Sequence, residues 1–225
     1  MHKYDSHNRY KLIYKIVSAL NVSLQIILLF IIFSLEMSWY LYLIGLFIAY
    51  FLTDFINGLV HMYMDNNDNY NSIWGPFIAS FHLHHKTQMY KNANIFIIYF
   101  NESGAKFWLV PYLLIVLLFW ALEINSFVLL IFIYIGILSS VAEVSHFLCH
   151  NSNSNFIKKL QKYRILLPLS HHKNHHKYDN QSYAFLNGTS DFIIDKIAKK
   201  LYRGYKNGSD EHFEKYDGSG TENRD

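Results

Sequence analysis

The chain has 225 residues, 52% apolar and 18% aromatic but only 16% charged, with a formal charge of +3. This is room for one sizeable domain, with fewer charges than the roughly 25% of an ordinary soluble protein, and its positive charge is too small and scattered for a nucleic-acid binder. The one cysteine, Cys149, excludes an intrachain disulfide; three Pro and ten Gly argue for long helices over a turn-rich β fold, and thirteen histidines are the outlier.

Residues 1–15 are polar and basic, with Lys3, Arg9, Lys11 and Lys15, and read as a solvated tail that includes His2 and His7. Ile16 to Leu35 is a run of twenty uncharged residues. At about 1.5 Å per residue it reaches about 30 Å, the thickness of a bilayer core, so it predicts a transmembrane helix. It is too long for the core of a signal peptide, and no small-residue cleavage site follows. Glu36 to Ser38 forms a tight connection, and Trp39, Tyr40 and Tyr42 are placed as interfacial aromatics. A second apolar run extends from Trp39 through Phe55. If its helix continues, Asp54, Gly58, His61 and Asp65 fall on one stripe. A carboxylate and an imidazole near a membrane boundary are costly without a partner.

Asp65 to Tyr70 is a polar turn, followed by Trp74-Gly75-Pro76 and the cluster Phe81-His82-Leu83-His84-His85-Lys86. Among so many other histidines, this cluster reads as metal-binding. On a helix His84 and His85 would be offset by about 100°. Ile95 to Phe100 is apolar but too short to span. Phe107–Leu122 and Ser126–Ala142 predict a hairpin of two further spans, joined through Glu123-Ile124-Asn125, with Trp108 and Trp120 as interface anchors. The last span leads into His146-x-x-x-His150, one helical face at its mouth. Cys149 lies off that column and reads as packing.

A basic stretch follows with Lys158, Lys159, Lys162 and Arg164, and then Pro168 fixes the entry to Ser170-His171-His172-Lys173-Asn174-His175-His176. On a helix this places His171 with His175 and His172 with His176 in two columns, each able to serve a different metal. Asp191–Arg203 is amphipathic, with Phe192, Ile193, Ile197 and Leu201 opposite lysines, and reads as a helix on the membrane surface. From Asn207 onward the composition is that of a disordered tail, which includes His212. The expected organisation is a tail over 1–15, a membrane-embedded domain over 16–206 and a disordered tail over 207–225.

The connections at Glu36 and Glu123 carry no Lys or Arg, whereas the N-terminus, the 57–106 region and everything after His146 carry all the basic charge. The positive-inside rule therefore predicts four spans with both termini and the central loop in the cytoplasm. That topology, deduced without reference to histidine, puts His61, His82, His84, His85, His146, His150 and the 171–176 cluster on one side of one membrane. The expected fold is an all-α polytopic membrane protein with a cytoplasmic His-rich metal-binding cap.

Eight or more histidines exceed what one tetrahedral zinc can use, and two metals with three to five imidazoles each fit the count. The sequence has no His-Glu-x-x-His and no cysteine cluster. Iron suits O₂ chemistry on an apolar chain.

Asp54-x-x-x-Gly58-x-x-His61-x-x-x-Asp65, Phe81-x-x-His84-His85, His146-x-x-x-His150 and His171-His172-x-x-His175-His176 with Tyr183 together resemble the lipid desaturases of the plasmanylethanolamine desaturase (Kua-type) group. That group includes the chloroplast enzyme that places a trans double bond in the palmitate of phosphatidylglycerol. The resemblance covers roughly residues 50–195. It implies a membrane di-iron enzyme that removes two hydrogens from a lipid chain using O₂ and two electrons. The ligands it implies are His61, His84, His85, His146, His150, His171, His172, His175 and His176, with Asp65 as a ligand or as a partner orienting a histidine. His82-Leu83 stands where the group has Arg-Glu, which leaves His82 either an additional ligand or a neutral substitute; Met62 and Val144 also depart from the group's Trp and Gln.

No Gly-x-Gly-x-x-Gly and no haem-binding His-Pro-Gly-Gly is present. An external donor, a b-type cytochrome or ferredoxin with its reductase, is therefore expected, with the basic residues of 158–164 and 196–203 as docking candidates. A hydroxylase using the same centre is the nearest alternative. A His-rich membrane metal transporter is a further one, which should line its path with polar residues at mid-membrane.

Overall fold

The computed structural model describes residues 8–86, 94–178 and 180–202. The expected disordered tail over 207–225, residues 1–7 of the N-terminal tail, and Asp179 lie outside the described residues, whereas residues 8–15, expected as tail, form the start of the first helix. Those described form helices α1 (Asn8–Ser34), α2 (Trp39–Asp65), α3 (Gly75–Lys86), α4 (Ile95–Glu102), a 3₁₀ turn (Ser103–Ala105), α5 (Leu109–Ala121), α6 (Ser126–Asn151), α7 (Asn155–Lys162), α8 (Leu169–Lys177) and α9 (Asp191–Leu201), with no strand among them.

Three of these, over Leu12–Ser34, Trp39–Asp65 and Ser126–Asn151, are long and apolar enough to cross a membrane. Their polarity is inverted relative to a soluble bundle. Phe33 and Phe47 are about four-fifths exposed on the outside, while Asn21, Gln25, Asn57, Ser139 and Ser140 are buried within. Apolar surface this large is unfavourable in water and expected in lipid. The chain is a helical membrane protein.

The expected third crossing differs from a straight helix. Its α5 has 13 residues, about 20 Å at the helical rise and short of a bilayer core. It follows α4 and the 3₁₀ turn across a bend of 94°, and the pair adds a fourth crossing if the two segments together form one broken span. Non-helical backbone at this depth must find hydrogen bonds inside the protein. Asn21 Nδ2 of α1 donates to Ser103 O at 2.9 Å and to Lys106 O at 3.0 Å. Ser103 Oγ bonds Tyr99 O and Ser140 Oγ, and Gln25 Nε2 reaches Gly136 O and Ser140 Oγ of α6. Gly104 is required here, because a methyl at that position would lie 2.6 Å from the Tyr14 carbonyl of α1.

Below this polar layer α1, α5 and α6 close on Leu28, Ile32, Leu109, Leu113, Leu130 and Ile133. Asn125 starts α6 by accepting from Phe127 N and Val128 N. The C-terminal halves of α2 and α6 carry the histidines, and α3, α8 and α9 gather around them.

The α9 helix also packs on the protein through a stripe outside the expected apolar face. Its Ile194 and Ala198 are buried against Met62, Tyr183 and Ala184, while Phe192 and Leu201 stay exposed. The dock is possible because Gly58 leaves room: a methyl there would sit 2.4 Å from Ile194 Cδ1 and 3.1 Å from Ala184 Cα.

Candidate metal centre

Helix α2 runs unbroken through Asp65, so His61 and Asp65 share one face. Helix α3 presents His84 and His85, and α6 ends on His146 and His150. Helix α8 is polar, and its neighbours place it. Pro168 caps its start in an extended conformation, Leu167 N bonds Ser145 Oγ of α6 at 2.9 Å, and that hydroxyl bonds Leu186 O at 2.6 Å.

Two groups of ligand atoms result. His84, His146, His150, His172 and His176 form one, and His61, Asp65, His85 and His175 the other, with the ligand atoms of each group all within 4.8 Å of one another. The groups adjoin, the His85 and His176 rings being 4.8 Å apart. One geometric rule sorts them. Residues four apart (His146/His150, His172/His176, His61/Asp65) stay together, and adjacent residues (His84/His85, His175/His176) part, as the 100° step of a helix demands. Nine of the ten residues expected from the sequence are thus brought together.

His171 is the exception. Its Nε2 lies 2.6 Å from Asp191 Oδ2, and its ring fills the space above Gly188, where a methyl would come within 2.6 Å of it. It belongs to the same column as His175 but one turn earlier, where the start of α9 is its neighbour. The two columns of α8 thus divide between the two groups, His172 and His176 in one and His175 in the other, and only His171 falls outside both. His82 also lies outside both groups. Its Nε2 is 3.1 Å from both Met64 O and Asp65 O at the end of α2, and its Nδ1 is 2.6 Å from Tyr70 Oη.

In the first group the Nε2 of His172 lies 2.7 Å from that of His146 and 3.0 Å from that of His176, with His150 to His146 at 3.3 Å. Nitrogens bound at about 2.1 Å to one ion stand about 3.0 Å apart at right angles and about 3.4 Å apart at the tetrahedral angle. In the second group Asp65 Oδ2 is 3.3 Å from His61 Nε2, 3.2 Å from His85 Nε2 and 3.3 Å from His175 Nε2.

Backbone carbonyls set the tautomers. His61 Nδ1 is 2.7 Å from Tyr183 O, and His175 Nδ1 is 3.1 Å from Gln181 O. A carbonyl only accepts, so Nδ1 carries the proton and Nε2 is the nitrogen directed at the site. Burial, reinforced by the neighbouring His61, pushes His175 down to about 3, and burial first, then adjacent imidazoles, holds His84, His172 and His176 well below the usual range. These rings are neutral, the form that binds metal. A bare Nε2 and a carboxylate oxygen facing each other at 3.3 Å call for a cation between them. Asp65 Oδ1 and His172 Nδ1 are also buried with no hydrogen-bond partner among the described residues. The donor set fits two metal ions.

The carbonyls that orient His61 and His175 come from the 180–190 loop, which three carboxylates hold. Asp54 Oδ1 accepts from the amides of Leu186, Asn187 and Gly188, and its Oδ2 from the amide and hydroxyl of Ser190. Asp191 Oδ1 accepts from Ala184 N, and Asp195 Oδ1 from Ser182 N. Burial pushes Asp191 up to about 6 despite the His171 and Ala184 bonds. The sequence reading placed Asp54 on the histidine stripe without this role, and it had no signal for the carbonyls of Gln181 and Tyr183. Cys149 is buried in an apolar cluster with Ala142, Leu167, Phe185 and Leu186.

No curated protein and no solved structure matches the chain. The family model of the lipid desaturase domain matches residues 50–204, more than half of the chain, from the middle of α2 to just past α9 and across both histidine groups. The chain belongs to the lipid desaturase domain family.

Proposed function

We propose that the chain is an O₂-dependent desaturase that holds two iron ions, one in each histidine group, and introduces a double bond into the chain of a membrane lipid. The observation that carries this reading is the pair of adjoining groups, five imidazoles beside three imidazoles and a carboxylate, at one end of a lipid-facing helix bundle in a lipid desaturase. Mixed nitrogen and carboxylate sets suit non-haem iron. Iron held there supplies O₂ activation for removal of hydrogen from an unactivated chain. In balance, two hydrogens leave adjacent carbons, two electrons and two protons enter from outside, and O₂ becomes two waters.

The chain's own residues do the rest. His61, His85, His175 and Asp65 are fully buried, whereas His84, His150 and His176 are partly exposed, so O₂ and the lipid chain approach from the side of the five-histidine group. Phe81, Tyr183 and Phe185 wall His61, with ring centroids 5.2 to 5.7 Å away, and keep water from the second group. Exposed Lys158, Lys159, Lys162 and Arg164 on and just after α7, and Lys196, Lys199 and Lys200 on α9, lie in the segments flanking α8. The connections 35–38 and 122–125 carry no Lys or Arg. This asymmetry favours a cytoplasmic metal end, with the basic surface receiving a b-type cytochrome or ferredoxin.

Metal analysis of the purified chain tests the reading. Two irons per chain are expected, with His84→Ala and His175→Ala losing metal and His171→Ala keeping both. Stoichiometric zinc without an O₂-dependent lipid product would overturn it, and a hydroxylated product would replace desaturation by hydroxylation at the same centre.

A further inference from the structure

A buried ion pair sits directly behind the metal centre and takes no part in either ligand group. Lys106, in the break between α4 and α5, is 1% exposed and places its ammonium 3.0 Å from Glu143 Oε1. A second proton goes to Asn57 Oδ1, and the ring of Phe185 covers the ammonium at 4.5 Å. Asn57 is fixed in turn by its own amide bonds to Thr53 O and Ser139 Oγ. The other carboxylate oxygen, Glu143 Oε2, lies 3.9 Å from His146 Nδ1, one helical turn along α6.

We propose that Lys106 and Glu143 are positioning residues that select the Nδ1–H tautomer of His146 and so present its Nε2 to a metal in the five-histidine group; the inference rests on the metal reading above. His61 and His175 have their Nδ1 protons fixed by backbone carbonyls. At His146 a carboxylate, that of Glu143, faces Nδ1. A carboxylate facing Nδ1 does the same work by charge, at a separation too long for a direct hydrogen bond. An isolated carboxylate would be expensive at this depth, and Lys106 neutralises it while pinning Oε1, which leaves Oε2 directed at the ring. Phe185 stands between the ammonium and the imidazoles, its centroid 5.5 Å from both His61 and His146, and keeps the positive charge off the metal side.

The test is titration of the metal-free full-length protein in detergent with Co(II), read by visible absorption and retained metal. The wild type is expected to take two equivalents. Lys106→Met/Glu143→Leu, which replaces the pair with apolar side chains of similar size, is expected to bind one of the two about 10- to 100-fold more weakly, with a changed cobalt spectrum, while Lys106→Arg keeps both at wild-type affinity. A folded double variant that binds both equivalents with wild-type affinity and spectrum would overturn the proposal. If circular dichroism shows the double variant unfolded, Glu143→Gln, which keeps the shape and removes the charge, is expected to show the same selective weakening, and unchanged binding overturns the proposal equally. A wild-type chain that takes up no cobalt defeats the metal reading itself, which separates the two failures.

Discussion

Asp54→Asn removes one charge and almost no volume, and its cost can be worked from the hydrogen bonds. The carboxylate is fully buried and accepts from four backbone amides and one hydroxyl at 2.7 to 3.2 Å. The least damaging orientation of an asparagine turns Nδ2 toward Ser190, whose hydroxyl can switch from donor to acceptor. That still strands the Ser190 amide, at about 1–3 kcal/mol, and converts three charge-assisted bonds into neutral ones, each weaker by about 1 kcal/mol. Relief of the carboxylate's desolvation returns part of this, leaving about 3–5 kcal/mol. For a chain of this length that lowers the melting temperature by about 10 °C. The 180–190 loop would loosen, and with it the Tyr183 carbonyl that fixes His61. The expected outcome is a marked fall in the detergent melting temperature together with reduced metal retention. A variant that melts within about 2 °C of the wild type and keeps its metal would refute the account of Asp54 as the anchor of the site.

Two further outcomes follow from packing and charge. Gly58→Ala places a methyl against Ile194 Cδ1 and the Ala184 backbone and is expected to cost about 1–3 kcal/mol; Ile194→Ala in the same chain should recover part of that loss, and additive effects in a double-mutant cycle would contradict the contact. For the metal-free protein, His175 lies at about 3 when folded against an ordinary 6.5, and His84, His172 and His176 are depressed as well. The unfolded chain therefore binds more protons below about 6.5, so stability is full above that pH and is lost progressively as pH falls toward 3. Melting temperatures of metal-free protein between pH 8 and 5 check this, and a flat or rising profile on acidification would contradict it.

The helical class, the four apolar segments and the residues of the two histidine groups were legible because each rests on periodicity. His61/Asp65, His146/His150 and His172/His176 repeat at the offset that shares a helical face. What the sequence could not show depends on contacts between distant segments. The destination of His171 was decided by Asp191 and Gly188, and the assignment of His84 and His85 to separate groups by the rotation of α3 about its axis. The bent third crossing was hidden because hydropathy marks Phe107–Leu122 as apolar without revealing that Asn21, from another helix, satisfies the backbone exposed by the break. The dock of α9 was not legible for a similar reason. Its Phe192–Leu201 face is apolar, but the stripe that packs is Ile194–Ala198, and the room for it is made by Gly58 far away in sequence.

The ligand groups and the membrane interior pose opposite requirements, and the polar layer beneath the site reconciles them. Imidazoles that are to bind metal must stay neutral with Nε2 bare, and burial supplies neutrality but not the choice of nitrogen. Each proton on Nδ1 therefore needs an acceptor in a region where acceptors are scarce. The loop after α8 provides two as carbonyls, and it can lie buried only because Asp54, Asp191 and Asp195 satisfy its amides. Inside α6 the group that faces His146 Nδ1, at 3.9 Å, is the Glu143 carboxylate, and it is paired with a lysine. The break in the third crossing brings that lysine in, at the expense of a helix too short to span on its own. Buried acids, interrupted helix and close-packed glycines are on this view parts of one requirement, the orientation of imidazoles at the edge of a bilayer.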